Sequence, residues 1–179
     1  MTDDTALVAA LEAIQSRGAI GESSIARAIE HAEQYVRKVP ATAGTLVDLG
    51  SGGGLPGLVI AARCPWLRIT LVERRATRAD LLRRAVHALD VTDRVTVVAD
   101  DVKALADRSP ASFDVVTARS FAAPPITAKW ASVLLRSGGV LVVSEPPADD
   151  PDRWPAPMLA SAGLTDLGRD EGVRTFLRR

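Results

Sequence analysis

Apolar residues near the start of the chain recur at the spacing of an α-helix. A first apolar stripe predicts a helix that begins near Thr2 or Asp4 and ends by Gly18. A second stripe predicts a helix that must end before Pro40, because proline disfavours helical geometry in the residue that precedes it. The sequence therefore predicts two helices within residues 1–40.

From residue 45 onward the pattern changes to short apolar runs that alternate with helical segments. The predicted strands span residues 45–49, 68–73, 95–99, 113–117, 140–143, 164–169 and 173–177. Helices are predicted at 55–64, 78–89, 102–107 and 126–135, and a loop over 149–157 precedes one more short helix. Such alternation is typical of a parallel sheet with helices on both faces.

The stretch between Gly168 and Gly172 has the composition of a hairpin turn, which predicts an antiparallel strand at the end of the sheet. The fold class that follows is α/β: a three-layer sandwich around a seven-stranded, mostly parallel sheet. We expect one domain over residues 1–179, with the N-terminal helices in 1–40 and the sheet-containing core in 45–179.

Composition narrows the range of functions. The 179 residues are 47% hydrophobic, and Lys plus Arg equals Asp plus Glu at 22 each, so attraction to nucleic acid must come from a local patch. A single cysteine, Cys64, excludes an internal disulfide and any multi-cysteine metal cluster, and we expect it to be buried. With no leader pattern and no apolar run of membrane-spanning length, the sequence predicts a cytoplasmic protein. We also expect a monomer that binds no metal.

A glycine-rich turn follows the first predicted strand. Gly52, Gly54 and Gly57 satisfy the pattern G-x-G-x-x-G, in which the backbone approaches a ligand closely and the next helix directs free N–H groups toward it. The pattern alone also fits nicotinamide and flavin enzymes. A phosphate loop of the Walker type is excluded, because the required Gly-Lys-Ser or Gly-Lys-Thr is absent from the sequence.

Acidic residues follow three successive strands and sharpen this interpretation. Asp48 stands two residues before Gly50, where a carboxylate would repel a pyrophosphate but suits the cationic methionine end of S-adenosylmethionine (SAM). Glu73 lies 19 residues beyond Gly54, the distance at which an acid binds ribose hydroxyls. Asp100 or Asp101 would receive the adenine amino group. These acids favour SAM as the cofactor. The alternative is an enzyme that binds a nicotinamide or flavin dinucleotide.

The run from Asp48 to Gly57 resembles the GidB-like family, the methyltransferases G of small-subunit ribosomal RNA. The continuation Leu55-Pro56-Gly57 carries much of this resemblance, and the segment 117–121, Thr-Ala-Arg-Ser-Phe, is similar to a Ser/Thr-Arg-Ala-Phe segment of the family. The resemblance implies a Rossmann-like class I methyltransferase fold, SAM as cofactor and methylation of guanine N7 in ribosomal RNA. The implied partner is ribosomal RNA or the small ribosomal subunit.

The predicted site follows from the loop, the acids and the resemblance together. Arg119 is the candidate catalytic residue, which would orient the acceptor or hold a phosphate, while Phe121 would offer a stacking surface. The alternative is that Arg119 only pairs with a nearby acid. Guanine N7 carries a lone pair and no proton, so its methylation needs alignment rather than a base. The predicted cofactor-binding residues are Asp48, Gly50, Ser51, Gly52, Gly54, Leu55, Pro56, Glu73, Arg74, Asp100, Asp101, Val102 and Arg119.

Two other functions stay open. Zero net charge and Glu145, which would reverse the charge at the substrate mouth, favour a methyltransferase with a small-molecule acceptor. The chain would otherwise be a module that binds SAM without transferring the methyl group. An electropositive surface around Arg119 would favour the RNA enzyme, whereas a closed apolar pocket would favour the small-molecule enzyme.

The remaining candidates are a cluster of arginines, the two histidines and the three tryptophans. The arginines around the second core helix would be an RNA footprint or a solvated helix face; they are Arg74, Arg75, Arg78, Arg83 and Arg84. His31 is structural or lies near the ligand, and His87 is expected to be exposed or half-buried without a role. We expect Trp66, Trp130 and Trp154 to be packing residues.

Overall fold

The computed structural model describes residues 4–148, 150 and 152–179. Two helices open the described chain, α1 (Asp4–Gln15) and α2 (Ile25–Val36), and this confirms the predicted N-terminal pair. The Ser24 hydroxyl caps α2 by accepting a hydrogen bond from the amide of Arg27. The candidate cap Thr2 and parts of the predicted loop, Asp149 and Pro151, lie outside the described residues. None of the described helices has the length and hydropathy needed to span a membrane.

A seven-stranded sheet forms the centre of the fold, in the order β3-β2-β1-β4-β5-β7-β6. The strands are β1 (Thr45–Leu49), β2 (Arg68–Val72), β3 (Val95–Val98), β4 (Phe113–Ala118), β5 (Leu135–Ser144), β6 (Leu164–Asp170) and β7 (Val173–Arg178). Strands β1 to β5 are parallel, and β7 runs antiparallel between β5 and β6. The prediction of a mostly parallel sheet that ends in an antiparallel hairpin is confirmed.

Five helices connect the strands: α3 (Gly57–Arg63), α4 (Ala76–Ala88), α5 (Val102–Arg108), α6 (Pro124–Leu134) and α7 (Ala156–Ser161). The largest departure from the predicted bounds is β5, which begins at Leu135 rather than at Val140. Gly138 and Gly139 fall between the predicted helix 126–135 and the predicted strand 140–143, but here they belong to β5. The register between β4 and β5 shifts at this point, and Gly139 lies against the backbone of Asp114.

Alternate residues of the central strands point to opposite faces of the sheet. Leu46, Ile69 and Val115 pack in a core with α1, α2, α3 and α4, while Val47, Val72 and Val116 pack in a second core with α5, α6 and α7. The two N-terminal helices therefore belong to the same layer as α3 and α4. The result is the predicted three-layer α/β arrangement.

The end of α2 is tied to the carboxyl ends of β4 and β5 and to the hairpin of β6 and β7. The hydroxyl of Tyr35, which is fully buried, donates to the Ala118 carbonyl at 3.2 Å. The amide of Gly172 donates to the Gln34 side chain at 3.0 Å, and Arg37 pairs with Glu171 at 2.6 Å. These contacts bring α2 to the edge of the sheet where parallel strands end, which is the edge that carries ligand sites in such folds.

Candidate active site

The glycine-rich loop lies at the carboxyl end of β1 and leads into α3. The Ser51 amide donates to the Val72 carbonyl at 2.8 Å, which fixes the loop against the end of β2. Gly50 has a φ of +63°, and a Cβ built there would lie 2.8 Å from the Phe121 ring. Only glycine satisfies both the backbone conformation and this close approach.

Asp48 lies beneath the loop, where only 1% of the residue is exposed. Its Oδ1 accepts a hydrogen bond from the Thr117 hydroxyl at 2.7 Å, while Oδ2 has no hydrogen-bond partner among the described residues and faces the first residue of α3, Gly57. Burial raises the pKa of Asp48 to about 6, although the Thr117 hydrogen bond and the charge of Arg119 act to lower it. Because Asp48 is buried, its carboxylate can act on a ligand only through the position of the glycine loop and through its electric field, not by direct contact.

Glu73 follows β2 and orders the loop from the other side. One carboxylate oxygen accepts from the Gly52 amide at 3.1 Å, and the other accepts from the Arg75 amide at 2.8 Å. The residue is 5% exposed, yet it lines a cleft of about 440 Å³. Glu73 thus joins the glycine loop to the start of α4 at the wall of this cleft.

The predicted residues after β3 line the same cleft. Asp101 caps α5 by accepting from the Lys103 amide at 2.8 Å, and Asp100 pairs with Arg108 at 3.1 Å. The amide of Asp101 and then Arg108 hold the pKa of Asp100 below its ordinary value. Other members of the lining are Val72, Arg74, Val102, Phe121, Ile126 and Trp130. We call this space the adenosine-side cleft.

A second cleft, of about 310 Å³, lies over the glycine loop, and the connection between α1 and α2 forms one of its walls. A Cβ built at Gly53 would lie 2.7 Å from the Ala19 carbonyl oxygen and would also collide with Ile20. The Gln15 side chain holds this connection by donating to the carbonyls of Gly21 and Ser23 at 2.6 and 2.9 Å. Sequence reasoning missed this wall, because the connection carries no recognisable motif.

The predicted loop residues are not equally placed in these clefts. Gly50, Ser51, Gly52 and Leu55 line the cleft over the loop. Gly54 and Pro56 are buried and are not among the residues that line the clefts described here, and the bond between Leu55 and Pro56 is cis. The structure therefore brings the first part of the loop, but not its last residues, to the surface that a ligand would touch.

A third cleft, of about 350 Å³, lies beyond the end of β4; we call it the acceptor-side cleft. Arg119 and Phe121 line it, together with His31 from α2 and Arg153. Partial burial, and then the charge of Arg119, lower the pKa of His31, which favours the neutral imidazole. His31 thus lies near the site, which is one of its two predicted placements.

Arg119 has no ion-pair or hydrogen-bond partner for its side chain within residues 4–148, 150 and 152–179. Burial raises the pKa values of Asp48 and Tyr35, and the charge of Arg119 partly offsets this rise; burial lowers the pKa of His31, and the charge of Arg119 adds to this fall. The alternative in which Arg119 only neutralises a neighbouring acid is therefore not what the structure contains. The guanidinium remains available to a ligand.

Glu145 departs from its predicted role. Glu145 lines the acceptor-side cleft, as predicted, but its side chain has no exposed surface, so the carboxylate does not open onto this mouth. One carboxylate oxygen accepts from the Trp154 indole nitrogen at 2.7 Å, and Arg153 and Arg174 approach the carboxylate at 3.4 and 3.9 Å. Arg153 and Arg174 therefore offset the charge of Glu145, and Arg174 is shared with Asp166, to which it is bonded at 2.6 Å.

The structure agrees with most of the remaining predictions for single residues and differs from one of them. Cys64 is buried at the end of α3, as expected, and burial raises the pKa of its thiol. His87 is exposed, and Trp154 is a packing residue. Trp66 is 54% exposed, so the packing prediction is wrong there: its position between α3 and β2 lies outside both cores. Trp130 packs at the edge of the second core and also lines the adenosine-side cleft.

The three clefts meet at one residue. Ser120, with a φ of +51°, contributes to the lining of each of them. Phe121 separates the adenosine-side cleft from the acceptor-side cleft and packs on Gly50. A ligand along the ends of β1 and β2 would therefore approach a second ligand beside Arg119.

Comparison with known proteins identifies the family. A family model described as rRNA small subunit methyltransferase G matches residues 10–145. The chain belongs to the GidB family. That family is one of methyltransferases, which agrees with the predicted enzyme class and with SAM as the cofactor.

Relatives named ribosomal RNA small subunit methyltransferase G share the same region. The protein from Rhizorhabdus wittichii is 49% identical over 76 residues, 42% of this chain and 34% of the relative. The protein from Kineococcus radiotolerans is 35% identical over 155 residues, 81% of this chain and 59% of the relative. The chain thus spans between about a third and three fifths of the length of these relatives.

Solved structures support the fold class. A cofactor-bound protein from MTB has a TM-score of 0.69 and 23% identity, and the likeness covers 99% of this chain and 91% of that one. An O-methyltransferase from Bacillus cereus in complex with SAH has a TM-score of 0.65 and 15% identity, with coverage of 99% and 92%. The predicted class I methyltransferase fold is confirmed.

Proposed function

We propose that this GidB-family chain transfers a methyl group from SAM to small-subunit ribosomal RNA, and that the acceptor atom is N7 of a guanine. The observation that carries the proposal is the convergence of three clefts on Ser120, beside the unpaired guanidinium of Arg119. This geometry joins a donor site to an acceptor site across a single residue. Ribosomal RNA is the substrate named for the relatives.

The residues around the first two clefts fit SAM. The absence of side chains at Gly50 and Gly52 leaves the cleft over the loop open, and Glu73 and Asp101 supply carboxylates along the adenosine-side cleft. When bound, SAM supplies an electrophilic methyl group on a sulfonium. We assign direct contact to Gly50, Ser51, Gly52, Leu55, Glu73, Arg74, Asp100, Asp101, Val102 and Arg119, and a supporting role to Asp48, Gly54 and Pro56.

The acceptor-side cleft suits a nucleotide. Arg119 offers a planar guanidinium with donors for a phosphate or a base edge, and Phe121 offers an aromatic surface. Because the N7 lone pair needs no deprotonation, the chain needs to orient the base and exclude water rather than move a proton. The burial and neutralisation of Glu145 removes the charge that argued against a phosphate partner.

A small-molecule acceptor is the second candidate. The observation that favours it is the size of the acceptor-side cleft, about 350 Å³, which lies in the range of small-ligand sites. The lining, however, combines Arg119, Arg153 and His31, and is not the closed apolar pocket that such an acceptor would favour.

The test is methyl transfer from radiolabelled SAM to three acceptors in parallel: purified small ribosomal subunits, naked ribosomal RNA and a small-molecule cell extract. We expect label in RNA that borohydride and aniline treatment cleaves at N7-methylguanine. Label confined to the extract would replace the RNA proposal with the small-molecule one. SAM binding without label in any acceptor would leave a SAM-binding module.

A further inference from the structure

A groove of about 520 Å³ lies between the end of α1 and the first turns of α4, next to the cleft over the glycine loop. Arg17 follows α1, whereas Arg78 and Arg84 project from α4, and all three line the groove. Ala19 and Arg78 also line the cleft over the loop, so the two spaces are continuous. The groove therefore opens at the same edge of the molecule as the candidate active site.

The positive charge of this groove is not neutralised from within. Neither Arg17, Arg78 nor Arg84 has an ion-pair or hydrogen-bond partner for its guanidinium in the part of the chain that the structure describes. The acid in the lining, Asp80, pairs instead with Arg83 at 2.7 Å. The groove thus presents three unpaired arginines.

Acids at the neighbouring strand ends are also occupied. Glu73 accepts two backbone amides, Asp101 caps α5, and Asp100 pairs with Arg108. Two more arginines, Arg74 and Arg75, are exposed just before α4 and have no side-chain partner among the described residues. The net charge of the chain is zero, with 22 basic and 22 acidic residues, yet arginines without a described partner cluster on one side of the candidate active site.

We infer that this groove binds the phosphates of RNA next to the nucleotide that enters the acceptor-side cleft. The inference rests on the proposed function, since it names where the same RNA would continue. Guanidinium groups suit phosphate because their planar donors form paired hydrogen bonds, and each phosphate contact releases counterions. Arg78 and Arg84 of α4 are in this view part of the substrate site, whereas Arg83, which pairs with Asp80, stays on the solvated face of the helix.

The test measures RNA binding as a function of salt. A labelled fragment of small-subunit ribosomal RNA is titrated with the wild-type chain, Arg84→Ala and the double variant R17A/R84A, and binding is followed by fluorescence anisotropy. Arg68→Ala is the matched control, because Arg68 is exposed at the opposite end of β2, lacks a described side-chain partner and carries the same charge.

We expect the slope of log affinity against log salt to fall by about 0.7 to 1 for Arg84→Ala and by about twice that for the double variant. Arg68→Ala should keep the wild-type slope. Equal slopes in all four proteins, or an equal loss in Arg84→Ala and Arg68→Ala, would overturn the groove as an RNA site.

Methyl transfer and SAH affinity, measured on the same proteins, separate this inference from the proposed function. Wild-type protein that methylates RNA while Arg84→Ala keeps its salt slope would overturn only the groove. Wild-type protein that binds RNA through the groove but methylates none would overturn the proposed function and support the groove. Absence of RNA binding by the wild-type protein would overturn both.

Discussion

The hydrogen bonds around the two halves of the candidate active site join residues that lie at very different distances along the chain. We call the glycine loop with the adenosine-side cleft the cofactor side, and the acceptor-side cleft with the end of α2 the acceptor side. On the cofactor side, Glu73 bonds to amides that are 21 and 2 residues away. On the acceptor side, Tyr35 bonds to a carbonyl 83 residues away, and Gln34 accepts from an amide 138 residues away. The contacts of Glu73 thus stay within two adjacent strands, although Thr117 and Phe121 reach Asp48 and Gly50 from β4 and the segment after it. The contacts of Tyr35 and Gln34, by contrast, depend on the assembly of the whole sheet.

Substitutions on the two sides should therefore have different effects. A substitution on the cofactor side should change ligand affinity and leave the fold intact, because the loop is fixed by its own strands. A substitution on the acceptor side should change either turnover or global stability. The following predictions test this division in order of decreasing effect.

Arg119→Ala should lower methyl transfer by about 1,000-fold, because the unpaired guanidinium is the group placed to orient the acceptor. SAH should still bind, and its affinity, measured by calorimetry, should fall far less than the rate of transfer, because the other cofactor contacts remain. Arg119→Lys keeps the charge but loses the planar donors, so partial recovery would indicate phosphate binding and no recovery would indicate base orientation. Preserved turnover in Arg119→Ala would remove Arg119 from the site.

Glu145→Gln should lower the free energy of unfolding by about 2 to 3 kcal/mol, because Arg153 loses its carboxylate and the buried carboxylate that accepts from Trp154 becomes a neutral amide, while Arg174 keeps Asp166. Urea denaturation measures this effect. Glu171→Gln, which breaks the exposed ion pair with Arg37, is the control and should cost less than about 1 kcal/mol. Similar losses in the two variants would mean that burial of Glu145 contributes nothing specific.

Asp48 should make stability depend on pH. Its folded pKa of about 6 lies above the ordinary value of 3.8, so the folded chain binds more protons between these values and stability falls as pH rises through them. Relative to Asp48→Asn, the wild-type chain should lose about 2 kcal/mol between pH 4 and pH 7. Unfolding curves at four pH values measure the trend, and the exposed Asp93→Asn serves as the control.

Glu73→Gln should weaken SAH binding by about tenfold, because the single amide oxygen of Gln can accept from only one of the Gly52 and Arg75 amides, and its NH2 group cannot accept from the other. The free energy of unfolding should change much less than in Glu145→Gln. Calorimetry with SAH gives the affinity, and Glu30→Gln on the exposed side of α2 controls for net charge. Global unfolding of Glu73→Gln would contradict the local character of the cofactor side.

Gln15→Ala should have the smallest effect, a loss of SAH affinity of about threefold. It removes two hydrogen bonds that hold the connection over the glycine loop, and exposed bonds of this kind contribute about 1 kcal/mol or less. Glu12→Ala, one turn earlier and exposed, is the control. An unchanged affinity would show that the connection is held by the packing of Ile20 on Gly53 alone.

Much of the cofactor side could be predicted from the sequence, because its signals are local. The glycine spacing, the acid after each strand and the alternation of strands and helices require only short-range pattern and strand geometry. The same reasoning placed β5 too short, since Gly138 and Gly139 have the composition of a turn and the shift of register opposite Phe113 leaves no sequence signal.

The acceptor side could not be predicted in the same detail. Glu145 has the sequence pattern of an exposed charge, since its partners Trp154 and Arg174 lie 9 and 29 residues further along the chain. Arg174 is brought to it by the pairing of β7 with β5, and Trp154 by the segment that leads into α7. His31 and the connection at Ala19 reach the site only through the packing of α1 and α2. Long-range contacts of this kind have no spacing rule that a single sequence can reveal.

The position of β7 between β5 and β6 has a consequence for synthesis on the ribosome. The segments that carry the glycine loop and Glu73, β1 to β3 with α3 and α4, emerge early, and the bonds of Glu73 close within the emerged chain. The amide of Glu145, by contrast, donates to the Gly172 carbonyl, and β5 gains its second neighbour only when residues 173–178 have left the tunnel. A growing chain can therefore order its glycine loop well before the sheet beneath the acceptor-side cleft is complete.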